Sequence, residues 1–153
     1  MKLWVDADAL PAEIKEVLLR AAQRLKIEVV LVANKNIHFG TRPMVSFVRV
    51  VQGADAADSY IVDSSAPGDF CITADIPLAA ALVTKGLTVI DPRGEQYSEA
   101  NIAERLSHRD FMASLREAGV PTGGPPPFSA KAKQNFAARL DSLLYKALRV
   151  RQP

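Results

Sequence analysis

The sequence predicts an α/β fold: a parallel sheet of about five strands flanked by helices, with extra helices at the C-terminal end. Three observations lead there. Short apolar runs rich in β-branched residues alternate with stretches of helical periodicity. The runs are continuous rather than alternately polar, as in Ile27 to Ala33, which is the mark of a strand covered on both faces. Three segments place aspartate where a strand should finish or a helix begin: Leu3-Trp4-Val5-Asp6-Ala7-Asp8, Gly53-Ala54-Asp55-Ala56-Ala57-Asp58 and Cys71-Ile72-Thr73-Ala74-Asp75. In open α/β sheets the carboxyl ends of the strands form the ligand crevice.

Lys2 to Asp6 reads as a short buried strand. Pro11, favoured at a helix start, opens a helix to Leu25 with Ile14, Val17, Leu18 and Ala21 on one face. Ile27 to Ala33 is the second strand, Asn34 to Pro43 a polar loop, and Val45 to Val51 the third strand. Asp55 to Ser64 is helical, with Ala57, Tyr60 and Ile61 turned inward. After the turn Pro67-Gly68-Asp69 come a fourth strand (Phe70 to Thr73), a helix (Ile76 to Lys85) closed by Gly86, and a fifth strand (Leu87 to Ile90). Beyond Asp91-Pro92-Arg93-Gly94 the alternation stops. Ser98 caps a helical stretch to Ala118, expected in two pieces, and Val120 to Pro127 is a proline-glycine loop. Ser129 caps a last helix whose Phe136, Leu140, Leu143, Leu144 and Leu148 should pack back on the body. The chain reads as one domain, residues 1–153, with a core over about 1–95 and a helical extension over about 96–150.

Composition narrows the class. Of 153 residues 48% are hydrophobic, enough for a real core, and the charged fraction of 24% is ordinary for a soluble protein. Net charge is only +2, so its distribution says more than its sum. From Lys131 to Pro153 six basic residues (Lys131, Lys133, Arg139, Lys146, Arg149 and Arg151) face one acid, Asp141. The single cysteine, Cys71, cannot form an internal disulfide and reads as a small core residue. No apolar run approaches the ~20 residues that span a bilayer, and no signal-peptide pattern precedes the first strand. A cytoplasmic protein with no membrane partner is expected; oligomeric state is not legible.

The acidic residues carry the functional reading. Asp6 and Asp8, two apart, share a face if the chain is still extended. Asp55 and Asp58, three apart, share one side of a helix. In a sheet of order 3-2-1-4-5 the first and fourth strands are neighbours, which brings Asp6 and Asp8 to Asp75, and the helix from Asp55 leads into the same crevice. Taken singly, Asp55 and Asp75 are also ordinary N-caps and Asp8 an ordinary turn residue. Gathered, carboxylates raise each other's pKa unless a cation neutralises them, and Mg²⁺ or Mn²⁺ is the natural candidate. Asp6 and Asp75 are the expected direct ligands; Asp8, Asp55 and Asp58 bind through water or orient a nucleophile. Such a pocket serves phosphodiester chemistry.

Candidate phosphate or nucleic-acid contacts surround it. Thr73 can bond a carboxylate or a phosphate oxygen, or be a plain strand residue. Arg93 follows the fifth strand on the same edge, and Lys35, Asn36, His38 and Arg42 make a basic loop after the second. Gly123 and Gly124, in Thr122-Gly123-Gly124-Pro125, form either an anion nest or a connector. The basic last helix suits nucleic acid, or is simply solvated. His38 and His108 lack the paired spacing of a zinc site.

Several motifs occur together and in order: Val5-Asp6-Ala7-Asp8-Ala9, Gly53-Ala54-Asp55-Ala56-Ala57-Asp58, Ile72-Thr73-Ala74-Asp75-Ile76-Pro77-Leu78-Ala79, Pro92-Arg93-Gly94, Arg109-Asp110, and Thr122-Gly123-Gly124-Pro125 with Phe128-Ser129. Over nearly the whole chain this resembles the bacterial YaiI/YqxD family, also called UPF0178 or DUF188. The resemblance implies a PIN-like, three-layer α/β/α fold. Better-known PIN-like proteins are metal-dependent ribonucleases with clustered acids, so it implies a pocket of Asp6, Asp55, Asp58 and Asp75 with Asp8 close by. Asp6, Asp58 and Asp75 are then the catalytic candidates. One position departs: the family usually has cysteine before the proline of the first motif, and here it is Leu10. Two rivals stand beside a ribonuclease. One is a non-catalytic RNA- or partner-binding module. The other is a haloacid-dehalogenase-like phosphatase, in which Asp6 is the nucleophile and Asp8 the general acid.

Overall fold

Residues 1–8, 10–37, 40, 42–51, 53, 55–123 and 128–151 are described by the structure, a computed structural model. In chain order the elements are β1 (Lys2–Asp6), α1 (Ala12–Leu25), β2 (Glu28–Ala33), β3 (Val45–Arg49), α2 (Ala56–Ser64), β4 (Phe70–Ile72), α3 (Ile76–Lys85), β5 (Thr88–Ile90), β6 (Gln96–Tyr97), α4 (Glu99–Glu117) and α5 (Ala130–Arg151). Among the described residues the strands form one six-stranded sheet, ordered β3-β2-β1-β4-β5-β6. β1 to β5 are parallel and β6 is antiparallel to β5. The strand order reverses between β1 and β4, so the switch point, where such folds hold ligands, lies at the ends of these two strands.

Strand periodicity divides the core into two. Leu3, Val5, Val29, Leu31, Phe70 and Ile72 point to one face, where α1 brings Ile14, Leu18 and Leu19 and α5 brings Phe136, Leu140 and Leu144. Trp4, Val30, Val32, Cys71 and Val89 point to the other, against Ala57 and Ile61 of α2 and Leu78, Ala79 and Leu82 of α3. α4 lies against α3 and adds the partly buried Ile102. The result is three layers, α/β/α. Full burial of Phe136, Leu140 and Leu144 is worth about 1.5–3 kcal/mol for each side chain, which is why the last helix docks despite its many charges. No helix among the described residues is long and apolar enough to cross a membrane.

Most boundaries fall within a residue or two of expectation, but three readings are corrected. The stretch after Ser98 is one helix rather than two. Ser98 and Asn101 form a reciprocal capping box at its start, and no proline or glycine interrupts residues 99–117. β6 went unforeseen because two residues, Gln96 and Tyr97, carry no periodicity; pairing with β5 makes them a strand. Asp69 is more than a turn residue. It is buried, accepting from the Trp4 indole Nε1 at 3.0 Å and from the amides of Lys2 at 3.0 Å and Ala66 at 2.9 Å. Burial alone would raise its pKa, but these donors outweigh burial and hold the carboxyl below its ordinary value. Asp69 therefore pins the edge of the sheet opposite the switch point.

Candidate functional site

β1 ends at Asp6, and its neighbour β4 ends one residue before Thr73. Thr73 is buried and joins the two strand ends: its hydroxyl donates to Asp6 Oδ2 at 2.8 Å and accepts from the Asp75 amide at 3.0 Å. Of the two partners open to it, a carboxylate and a phosphate, Thr73 takes the carboxylate. Asp75 is the N-cap of α3, accepting from the Leu78 amide at 2.9 Å, with Pro77 in the first turn. Asp75 is thus an N-cap whose charge also bears on Asp6 and Asp58. Asp58, in the first turn of α2, hydrogen-bonds Asp75.

The electrostatics follow from this convergence. Burial, the charge of Asp75, the bond to Asp75, and the charges of Asp6 and Asp55 push Asp58 up to about 7. Near neutral pH its carboxyl is part-protonated and can donate to Asp75. Asp6 is raised as well: burial and the charges of Asp75 and Asp8 outweigh the lowering effect of the Thr73 hydroxyl. Five aspartates thus act on one another here: Asp6, Asp8, Asp55, Asp58 and Asp75. Asp6 and Asp75 line a cavity of about 280 Å³ with Leu10, Ala74 and Pro92. Asp55 and Asp58 line a second of about 310 Å³. The Asp58–Asp75 hydrogen bond links the two groups. Leu10 gives the first cavity an apolar wall.

All these donors are oxygens, the set that suits a hard divalent cation. Among the described residues, however, no three Asp, Glu, His or Cys side chains stand in the arrangement of a formed metal site. In this conformation hydrogen bonds hold the carboxylates: Asp6 to Thr73, and Asp58 to Asp75.

The surrounding candidates are placed as follows. Asp8 accepts from the Asn34 amide with both oxygens, at 3.0 and 2.8 Å, and from the Lys35 amide at 3.4 Å, tying the end of β1 to the loop after β2. Lys35 and Asn36 are exposed on that loop. Arg42 is half-buried and paired with Glu16 of α1 at 2.9 Å. The Arg93 amide donates to Asp91 Oδ1 at 2.8 Å, and its guanidinium lies 5.7 Å from the centre of the Phe128 ring. Gly123 is exposed; Gly124 and His38 lie outside the described residues. Asp91, which received no role from spacing, is buried and accepts from the amides of Arg93 and Glu95, folding the turn beside the cleft. The signal was available in Asp91-Pro92-Arg93-Gly94, where aspartate opens a tight turn.

One prediction concerns the proton of Asp58. The pKa of Asp58 in the folded protein is about 7, above its ordinary 3.8. The stabilisation from its protonated form is therefore complete below that ordinary value and lost as pH rises through 7. In chelator-treated protein Asp58→Asn should raise Tm at pH 8 by about 2–4 °C, with a smaller gain at pH 5. Scanning calorimetry from pH 5 to 8 measures this. Equal Tm differences at both ends would mean that Asp58 is not strained by its neighbours.

Fold and carboxylate cleft together define a three-layer α/β protein with a cluster of acids at its topological switch point. The model of the family described as "Uncharacterized BCR, YaiI/YqxD family" (DUF188) matches residues 4–146, and the chain belongs to that family. A UPF0178 protein of Geobacter metallireducens is 52% identical over 153 residues, covering 100% of this chain and 99% of its own. One from Syntrophobacter fumaroxidans is 55% identical over 150 residues, covering 98% of each. One from Myxococcus xanthus is 50% identical, covering 97% of each. No solved structure matches the chain.

Proposed function

We propose that the protein is a divalent-cation-dependent phosphodiester hydrolase acting on RNA, on a fold of PIN-like type. The observation that carries this reading is the convergence of Asp6, Asp58 and Asp75 at the switch point, with Asp58 raised to about 7. Like charges held together against their own repulsion are the usual signature of a site made for something else. Asp6, Asp58 and Asp75 would hold Mg²⁺ or Mn²⁺, with Asp8 and Asp55 adding negative field around them. A bound ion of this kind polarises a phosphodiester and lowers the pKa of its water. Thr73 is a positioning residue that fixes the carboxylate of Asp6. Asp58 must give up its proton for a cation to be held, so cation affinity should increase as pH rises through about 7.

The test is chelator-stripped protein assayed on a broad panel of single-stranded and structured RNAs with Mg²⁺, Mn²⁺ or EDTA. Cleavage with either cation and none in EDTA is the expected result. A second reading, a non-catalytic RNA-binding module, is favoured by the protein hydrogen bonds that already satisfy the carboxylates, Asp6 with Thr73 and Asp75 with the Leu78 amide. RNA binding without cleavage over the whole panel would establish it. The phosphatase reading is disfavoured because Asp8, its general acid, is occupied by the amides of Asn34 and Lys35.

A further inference from the structure

α5 carries two stripes side by side. Ala132, Phe136, Leu140 and Leu144 recur every four residues and are buried. Beside them Lys131, Asn135, Arg139 and Ser142 line a groove of about 610 Å³, closed on its other side by Arg93, Gly94 and Glu95 from the turn between β5 and β6. Its charge is positive, and neighbouring pairs keep it so. Asp141, the one acid of α5 in the sequence, is paired at 2.7 Å with Arg24 of α1. Glu95 is paired at 2.8 Å with Arg105. Among the described residues neither Lys131 nor Arg139 has an ion-pair partner. The groove adjoins the carboxylate cleft: Pro92 lines the cleft and Arg93, the next residue, lines the groove.

We propose that this groove binds the phosphodiester backbone of a single-stranded nucleic acid and leads it to the carboxylate cleft. The direction of the strand rests on the hydrolase reading above; binding in the groove does not. Lys131 and Arg139 stand eight residues apart, about 12 Å along the helix, on the same side as Arg93. Cations set out in a row suit successive phosphates, whereas one small anion needs them to converge on a point. Lys35 and Arg42 are less suited to start such a path, since Arg42 is already paired with Glu16. The asymmetry also answers an electrostatic difficulty. Five aspartates repel a phosphate, so a strand must be held by charges beside the cleft rather than in it.

Binding is measured in EDTA, over a salt series, with a short labelled RNA strand and the DNA strand of the same sequence. The double variant Lys131→Gln/Arg139→Gln should bind both about tenfold more weakly, and its log–log salt slope should fall by about 1.4. Arg139→Lys should restore much of the slope. Lys146→Gln/Arg149→Gln, the same charge change at the far end of α5, should bind within twofold of wild type. Lys131, Arg139, Lys146 and Arg149 are all exposed, and unchanged Tm in each variant verifies folding. Equal loss in the two double variants, an unchanged slope, or mononucleotide binding as tight as the strand would each overturn the proposal. A preference above tenfold for RNA or for DNA would also overturn it, because groups other than phosphate would then be read. Normal strand binding that fails in the groove variant, with no cleavage by wild type, would keep the groove and remove the hydrolase. Cleavage by wild type with unaltered binding in the groove variant would do the reverse.

Discussion

Asp75→Asn should abolish cation-dependent cleavage while leaving the protein folded. Asparagine keeps the oxygen that accepts from the Leu78 amide, so the cap of α3 survives. What disappears is one negative charge and the acceptor for the Asp58 proton. Asp75 is the largest cause after burial of the raised pKa of Asp58, so that pKa should fall in the variant. Stability in EDTA at pH 8 should then match or exceed wild type. The response to cation should change in the opposite sense. An ion at ten times its Kd stabilises the wild type by about 1.4 kcal/mol, a Tm rise of roughly 3–6 °C for a chain of this size; the variant should show less than a third of it. Cleavage should drop by at least about a hundredfold, the usual scale for removing one preorganised charge from an active site. Equal Mn²⁺ shifts in wild type and variant would remove the cation from the cleft. Cleavage surviving in Asp75→Asn would point to a contaminating nuclease.

Gly94→Ala should be among the most damaging single methyl additions to the fold. Gly94 has φ +92°, a conformation that costs an L side chain energy at once. Its missing side chain also lets the β5–β6 turn lie directly on α5. A Cβ there would stand 2.7 Å from the carbonyl carbon and oxygen of Asn135 and 2.8 Å from the Phe136 nitrogen. These are backbone atoms of a long helix, which cannot rotate aside. Either the turn lifts, with Arg93 and the amides held by Asp91, or α5 shifts and unseats Phe136. Left-handed strain and overpacking together cost about 2–5 kcal/mol, so Tm should fall by roughly 4 °C or more. Strand binding in the groove should weaken as well, since the same contact shapes it. A variant as stable as wild type would show that turn and helix do not press together. Gly123→Ala, at a glycine with open space around it, is the control for the strain of a positive φ without the clash.

The carboxylate cleft was legible because its parts lie at element ends. Asp6 and Asp75 terminate an apolar run and open a helix, and 3-2-1-4-5 is one of the orders that right-handed crossovers allow; the structure has it within its sheet. β1 beside β4 is then enough to bring them together. Asp58 needed only helical spacing from Asp55. The supporting residues were less visible. Asp69 and Asp91 look like turn aspartates in the sequence, yet Asp69 gathers an indole and an amide distant in sequence and Asp91 the amides of the turn folded back upon it. Arg42 looked available until Glu16, on another element, proved to face it.

The sequence by itself determined the layered α/β architecture, five parallel strands and the family, because hydrophobic period, local caps and short motifs are written within a few residues of each other; the order of the strands came from the structure. Only the tertiary structure decided that Thr73 serves Asp6, that the charge of Asp75 bears on Asp58, and that Arg93 and α5 enclose a basic groove. β6 likewise exists only because β5 offers it an edge. Each of these depends on side chains or backbone brought together from remote parts of the chain, where distance and burial, rather than residue type, set the pKa of a carboxylate and the freedom of a cation.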